Sequence, residues 1–208
     1  MAPVVRIEPN GIQTLLSYDN ARDDLERNDW RLFIEKFKGF NLRVSQEFAL
    51  TFYGCRAKIG VVQLEVTEEF LSQAMGLPVV GKKWFKNTKV EEVPWTLLFT
   101  SRKITSCDRG MPVSSLKPRW HDLIAIVKQF ITCEGRFGLV FLYHLRFLMS
   151  FIDFPLNMPY FLLRSLYNMG KWFRRKKSDS SLFHHGLIKI IIVHQLQLHN
   201  DSWDAFVL

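Results

Sequence analysis

Cysteine is scarce: the chain holds three, Cys55, Cys107 and Cys133, and no two form a CxxC pair. An odd, sparse set is a poor disulfide framework and reads as thiols in a reducing compartment. Glycine and proline are also few, at 11 and 8 of 208 residues, which excludes collagen-like and low-complexity classes. No apolar run reaches the roughly 20 residues of a bilayer span. The longest, 138–152, is interrupted by His144 and Arg146. The first residues mix Arg6, Glu8 and Asn10 among apolar ones, so no signal peptide is expected. These absences point to a soluble intracellular protein without a membrane partner. HExxH, GxxxxGK[ST] and every other catalytic or cofactor signature are missing too, so neither an enzymatic role nor a cofactor is expected.

What is present is apolar bulk and positive charge. Apolar residues make up 48% of the chain, and 18 residues are Phe. That is too apolar for a disordered tail and enough for one cored domain. The 28 basic side chains outweigh 20 acidic ones, for a net +8. The imbalance is uneven: residues 1–104 carry +2 and residues 105–208 carry +6. Its densest point is 171–177, KWFRRKK.

The spacing of apolar residues predicts a mostly α, α+β fold. Trp30, Phe33, Ile34 and Phe37 mark a first helix, with Asp29 as its N-cap and Gly39 at its end. Phe48, Leu50 and Phe52 alternate at period two and read as a strand. Ala57 and Ile59, then Val62, Leu64 and Val66, repeat the alternation around a turn at Gly60. The expectation is a small antiparallel sheet over 47–66. Thr67, Glu68 and Glu69 open a helix that Gly76, Leu77 and Pro78 close, by an N-cap, acidic first turn and left-handed stop. Residues 79–115 read as an irregular excursion with a short helix near 95–100. A helical bundle follows: one helix from Pro118 through Ile131, a central one over 137–152, a third over 160–175, and a fourth over 182–198 capped by Asp179 or Ser180. A tail helix near 203–206 closes it. The division is an N-terminal arm, 1–29, and a single domain, 30–206, with sheet and helix at 47–78 and the bundle at 116–206.

Three constellations bear on chemistry. His144, His184, His185, His194 and His199 lack metal-site spacing, so no metal is expected. Cys133 lies in a polar knot, Cys133-Glu134-Gly135-Arg136, and a Cys–His meeting would need His121 or His144 from the flanking helices. The basic cluster is the third. Lys171, Arg174, Arg175, Lys176 and Lys177 surround Trp172 and Phe173. Cations meet phosphates and exposed rings stack on bases, which suits a nucleic-acid contact or a nuclear-import patch. The competing reading is a solvated helix end, where cations complement the dipole. Lys82, Lys83 and Lys86 around Trp84-Phe85 form a smaller patch with the same two readings.

A resemblance spans residues 30–206. The runs Glu47-Phe48-Ala49-Leu50, Gly54-Cys55-Arg56-Ala57-Lys58-Ile59-Gly60 and Leu64-Glu65-Val66-Thr67-Glu68-Glu69-Phe70 contribute to it. So do Gly76-Leu77-Pro78 with Gly81 and Trp84-Phe85-Lys86, Ile131-Thr132-Cys133-Glu134-Gly135-Arg136, Phe141-Leu142-Tyr143-His144-Leu145-Arg146, Pro155-Leu156-Asn157-Met158-Pro159-Tyr160 and the 181–189 run SLFHHGLIK. Together they resemble the domain family named for plant transposon proteins, and more loosely the plant mobile domain. Tyr53 stands where the family usually carries Asp, and Val61 where it often does. The resemblance implies a retrotransposon-derived mobile-element product, with no reaction, cofactor or catalytic residue to carry over. The expected role is a non-enzymatic domain binding nucleic acid or other retroelement proteins. The alternatives are a protein-interaction or structural domain, and a truncated mobile-element copy without function.

Overall fold

The computed structural model describes residues 21–36, 42–89, 92–100, 110–133, 138–176 and 184–199. The fold is α+β and mostly α. Gly39, Cys107, Glu134, Arg136, Lys177, the Asp179 and Ser180 caps, and the 203–206 tail helix lie outside the described residues.

Two short helices come first, α1 (Arg22–Arg27) and α2 (Trp30–Glu35). Ala21 and Leu25, within the segment read as an arm, are buried in the common core. Asp24 is buried too, and its carboxylate accepts from Arg119 at 3.0 and 3.1 Å. Asp29 does not cap α2 as expected. It sits between the two helices at φ 60° and makes no side-chain cap hydrogen bond, because a capping residue needs extended backbone to aim its oxygen at the helix.

Residues 47–51 are helical, not a strand, and belong to α3 (Leu42–Thr51). Phe48 and Phe52 fit both periods, since i and i+4 share a helix face as well as a strand face. Leu50 separates the two: a strand would bury it with them, yet it is 47% exposed. Val44, Phe48, Ala49 and Phe52 are buried instead, which is the helical spacing. The sheet is therefore smaller than expected. It is the hairpin of β1 (Arg56–Ile59) and β2 (Val62–Glu65), antiparallel, with Ile59 opposite Val62 around the Gly60-Val61 turn. Ala57, Ile59 and Leu64 point into the core. The hairpin packs on α3: the Gly60 N–H donates to Glu47 Oε1 at 2.7 Å and the Lys58 N–H to Thr51 Oγ1 at 3.0 Å. Tyr53 and Val61, at and beside the turns of the hairpin, are 74% and 92% exposed.

Helix α4 (Glu68–Met75) forms as the sequence predicts. Thr67 Oγ1 accepts from the Phe70 N–H at 3.1 Å, and Gly76 takes the left-handed conformation at φ 73°. The N–H groups of Gly76 and Leu77 both reach the Ser72 carbonyl, at 2.8 and 3.1 Å, and Leu77 is buried. Gly81 then lets two backbones meet: a Cβ there would lie 2.5 Å from the Pro155 carbonyl oxygen. Lys82 exchanges backbone hydrogen bonds with Pro155 and Asn157 at 3.0 and 3.1 Å. The one-turn helix α5 (Trp95–Leu98) matches the short helix expected in the excursion.

The first half of the bundle differs from expectation in two places. Helix α6 (Arg119–Ile126) follows Pro118 as predicted, but runs into a π-helical stretch, Val127–Thr132, in which five of six residues are buried. The central helix does not begin at 137. Leu139–Val140 is a strand, β4, paired with β3 (Met111–Pro112), and α7 covers Leu142–Ser150. Leu145, Phe147 and Leu148 are fully buried, while Phe141 and Leu142 are half-buried. Arg146, which looked like a break in the apolar run, is buried with its guanidinium 5.6 Å from the Phe154 ring.

Helix α8 (Met158–Lys176) is the longest among the described residues, with Phe161, Leu162, Leu166 and Met169 fully buried. Helix α9 (His185–His199) starts later than the expected 182. Helices α3 and α4 pack on both α8 and α9. Aromatic rings fill the centre: Phe147 meets Phe161 at 4.8 Å and Trp84 at 5.5 Å, and Trp30 meets Phe151 at 4.7 Å.

Candidate functional site

Two regions draw on the residues singled out by chemistry. The first is a buried polar cluster beside the π-helical stretch. Cys133 ends that stretch at φ 52°. Its Sγ lies 3.3 Å from His184 Nδ1, and His184 Nε2 lies 2.7 Å from Ser165 Oγ. The Cys–His meeting thus occurs, but with neither histidine named from the sequence. His121 turns to the Leu116 carbonyl at 3.0 Å, and His144 lies 3.5 Å from Thr132 Oγ1 and accepts the Phe141 N–H at 3.1 Å. Nearby, the buried Lys128 ammonium donates to the Leu139 carbonyl.

Burial holds His184 neutral: with added repulsion from Lys86 and His185, its pKa falls to about 3. In a neutral imidazole one nitrogen accepts and the other donates, which suits a thiol on one side and a hydroxyl on the other. A thiolate–imidazolium nucleophile needs the charged ring, and burial disfavours that form. The cluster fastens the end of the π stretch to α8 and to the start of α9 with uncharged hydrogen bonds. Among the described residues, no three metal-ligating side chains come together.

The second region is the outer face of α8. Asn157 starts the helix by accepting the Tyr160 N–H at 2.9 Å, and its own amide donates to Glu68 at 3.1 Å. The helix carries Arg164, Lys171, Arg174, Arg175 and Lys176 and no acidic residue. Its last turn holds three of these cations, where they complement the helix dipole. Lys171, Arg175 and Lys176 are exposed. Trp172 is 54% exposed with the Lys176 ammonium 5.1 Å from its ring, while Phe173 is buried. Arg174 turns inward and donates to the Phe52 and Ala49 carbonyls at 2.6 and 3.2 Å, at the C-terminal end of α3. It is spent on the fold.

The smaller patch is divided. Lys83 pairs with Glu68 at 2.8 Å, which raises its pKa, and lies 5.5 Å from the Tyr160 ring. Lys86 lies 4.8 Å from the Tyr143 ring. Lys82 is exposed. Trp84 offers nothing to a ligand, because it is buried and its Nε1–H donates to the Asn87 carbonyl at 2.7 Å.

Residue reading passed over Ser165, the partner role of His184, and Tyr160, Arg164 and Tyr167 on α8. Helical spacing from Lys171 back to Tyr167, Arg164 and Tyr160 was the available signal for the last three. No signal tied His184 to Cys133, which lies 51 positions away. Among the described residues no helix is long and apolar enough to cross a membrane. No family model matches the chain, and neither a curated protein nor a solved structure matches it.

Proposed function

We propose that this chain is a non-enzymatic, retroelement-derived domain of the plant transposon-protein type that binds nucleic acid through the outer face of α8. One observation carries the binding: a long helix with five cations and no carboxylate, whose exposed end holds Lys171, Arg175 and Lys176 around an exposed Trp172. Cations with no carboxylate on their own helix keep their field for phosphates. The resemblance runs quoted above support the mobile-element origin. Burial lowers the His184 pKa to about 3, which makes it a poor proton acceptor for Cys133 or Ser165, and this supports the absence of catalysis.

The test is a titration of DNA and RNA across salt concentrations. Binding weakens linearly in log–log plots, by roughly 0.7 to 0.9 per phosphate neutralised. Replacing Lys171, Arg175 and Lys176 with Ala flattens the slope and weakens all sequences alike, because phosphate contacts carry no base information. A wild-type domain that binds neither polymer at low salt would leave the protein-interaction reading in its place.

A further inference from the structure

We infer that the outer face of α8 is a track for a single strand of nucleic acid, with unpaired bases laid against its aromatic rings. This inference rests on the nucleic-acid reading above and names the form of the ligand. At 3.6 residues per turn, Tyr160, Arg164, Tyr167, Lys171 and Arg175 fall within about 80° of arc, so they form one ridge. Arg164, Lys171 and Arg175 are exposed, and Tyr160 and Tyr167 are half-buried. Ring and cation alternate from Tyr160 to Lys171, with Arg175 a further cation beyond, and the Arg164 guanidinium lies 5.7 Å from the Tyr167 ring. Trp172, 54% exposed, flanks it. From Tyr160 to Arg175 the ridge is about 22 Å long at ~1.5 Å per residue, enough for roughly six stacked nucleotides at ~3.4 Å each.

The alternation selects the ligand. In a duplex the base faces are covered by their neighbours, so ring faces on the protein have nothing to stack on. In a single strand a phosphate can meet a cation while an unpaired base nearby meets a ring. A membrane surface fits less well. A helix that lies in a bilayer interface buries its apolar face in lipid, and here Phe161, Leu162, Leu166, Met169 and Phe173 are already buried in the protein core.

The experiment is fluorescence anisotropy of the full chain with a labelled 12-nucleotide oligo-dT strand, its RNA counterpart oligo-U, and a 12-base-pair duplex. Phosphatidylserine vesicles form a separate arm. The single strands are expected to bind at least about tenfold tighter than the duplex. Tyr167→Ala and Trp172→Ala should each weaken single-strand binding by about 5- to 100-fold at an unchanged salt slope. Tyr167→Phe, which keeps the ring, should bind as wild type. Arg164→Ala should lower the slope by about 0.7 to 0.9, while Lys58→Ala, on the hairpin, should leave it unchanged. Trp172 is exposed, so its variant folds even if Tyr167→Ala does not. Equal binding of duplex and single strand, with both ring variants neutral, overturns the track and leaves nucleic-acid binding standing. Binding of vesicles but of no oligonucleotide overturns both.

Discussion

At the scale of single residues, His184 makes stability depend on pH. Its folded pKa is about 3, pushed down first by burial, against 6.5 for an ordinary imidazole. Above roughly pH 6.5 neither the folded nor the unfolded chain holds the proton, and its full contribution is present. As pH falls below that, the unfolded chain takes up a proton the folded chain refuses. Each unit of acidification then removes up to about 1.4 kcal/mol, until the folded pKa is reached. Urea melts at pH 7, 6 and 5 should show this decline, and His184→Gln should flatten it. A wild-type chain equally stable at pH 7 and 5 would mean that the ring is not buried neutral. Two glycines make a second residue-scale case. Gly76 needs φ 73° but has open space for a side chain, whereas Gly81 has both a positive φ and a carbonyl 2.5 Å from any Cβ. Gly76→Val should cost about 1 kcal/mol or more. Gly81→Ala should cost about 2 kcal/mol or more, because Lys82 and Pro155 would have to part.

At the scale of elements, α8 holds neighbouring cations with opposite duties. Arg174 donates to two carbonyls at the end of α3, whereas Arg175 and Lys176 are exposed. Arg174→Ala should lower the chemical denaturation midpoint, by about 1–3 kcal/mol of stability, since it strips charged donors from those carbonyls. Arg175→Ala with Lys176→Ala should cost no more than about 1 kcal/mol of stability, the part owed to the helix dipole, and on the proposed reading should act mainly on nucleic-acid binding. In α7 the contrast is one of burial. Leu145→Ala and Leu148→Ala should each cost on the order of 2–5 kcal/mol. Leu142→Ala should cost clearly less, because its side chain is only half-buried. Equal losses at 142 and 145 would show that the start of α7 is as enclosed as its middle. Helix α4 was readable in full, because Thr67, Glu68, Glu69, Gly76 and Pro78 all act within a few residues of one another. Helix α3 was misread for a reason that is equally local. Phe48 and Phe52 serve either period, and only the exposure of Leu50 separates the two.

At the scale of the whole molecule, the apolar share fixed a cored chain and the +8 charge an excess of cations, while the mostly helical class came from the spacing of the apolar residues. Periodicity fixed the inward faces of α6 and α8, because Trp120, Leu123, Ile124, Phe161, Leu162, Leu166 and Met169 repeat at helical spacing and are all buried. These are short-range properties, and a sequence states them directly. What only the tertiary structure decided depends on partners far apart in the chain. Cys133 meets His184 across 51 positions, Arg174 reaches Phe52 across 122, and Asp24 binds Arg119 across 95. Lys128 and Arg146 are buried although lysine and arginine ordinarily stay in water, and a carbonyl and a ring receive them. The division of the basic residues has the same origin. Composition counts Lys83, Arg174 and Arg175 alike, but Glu68 neutralises the first, α3 binds the second, and the third is left exposed. Charge is written in the sequence, whereas its availability to a ligand depends on which distant groups the fold brings within hydrogen-bonding distance.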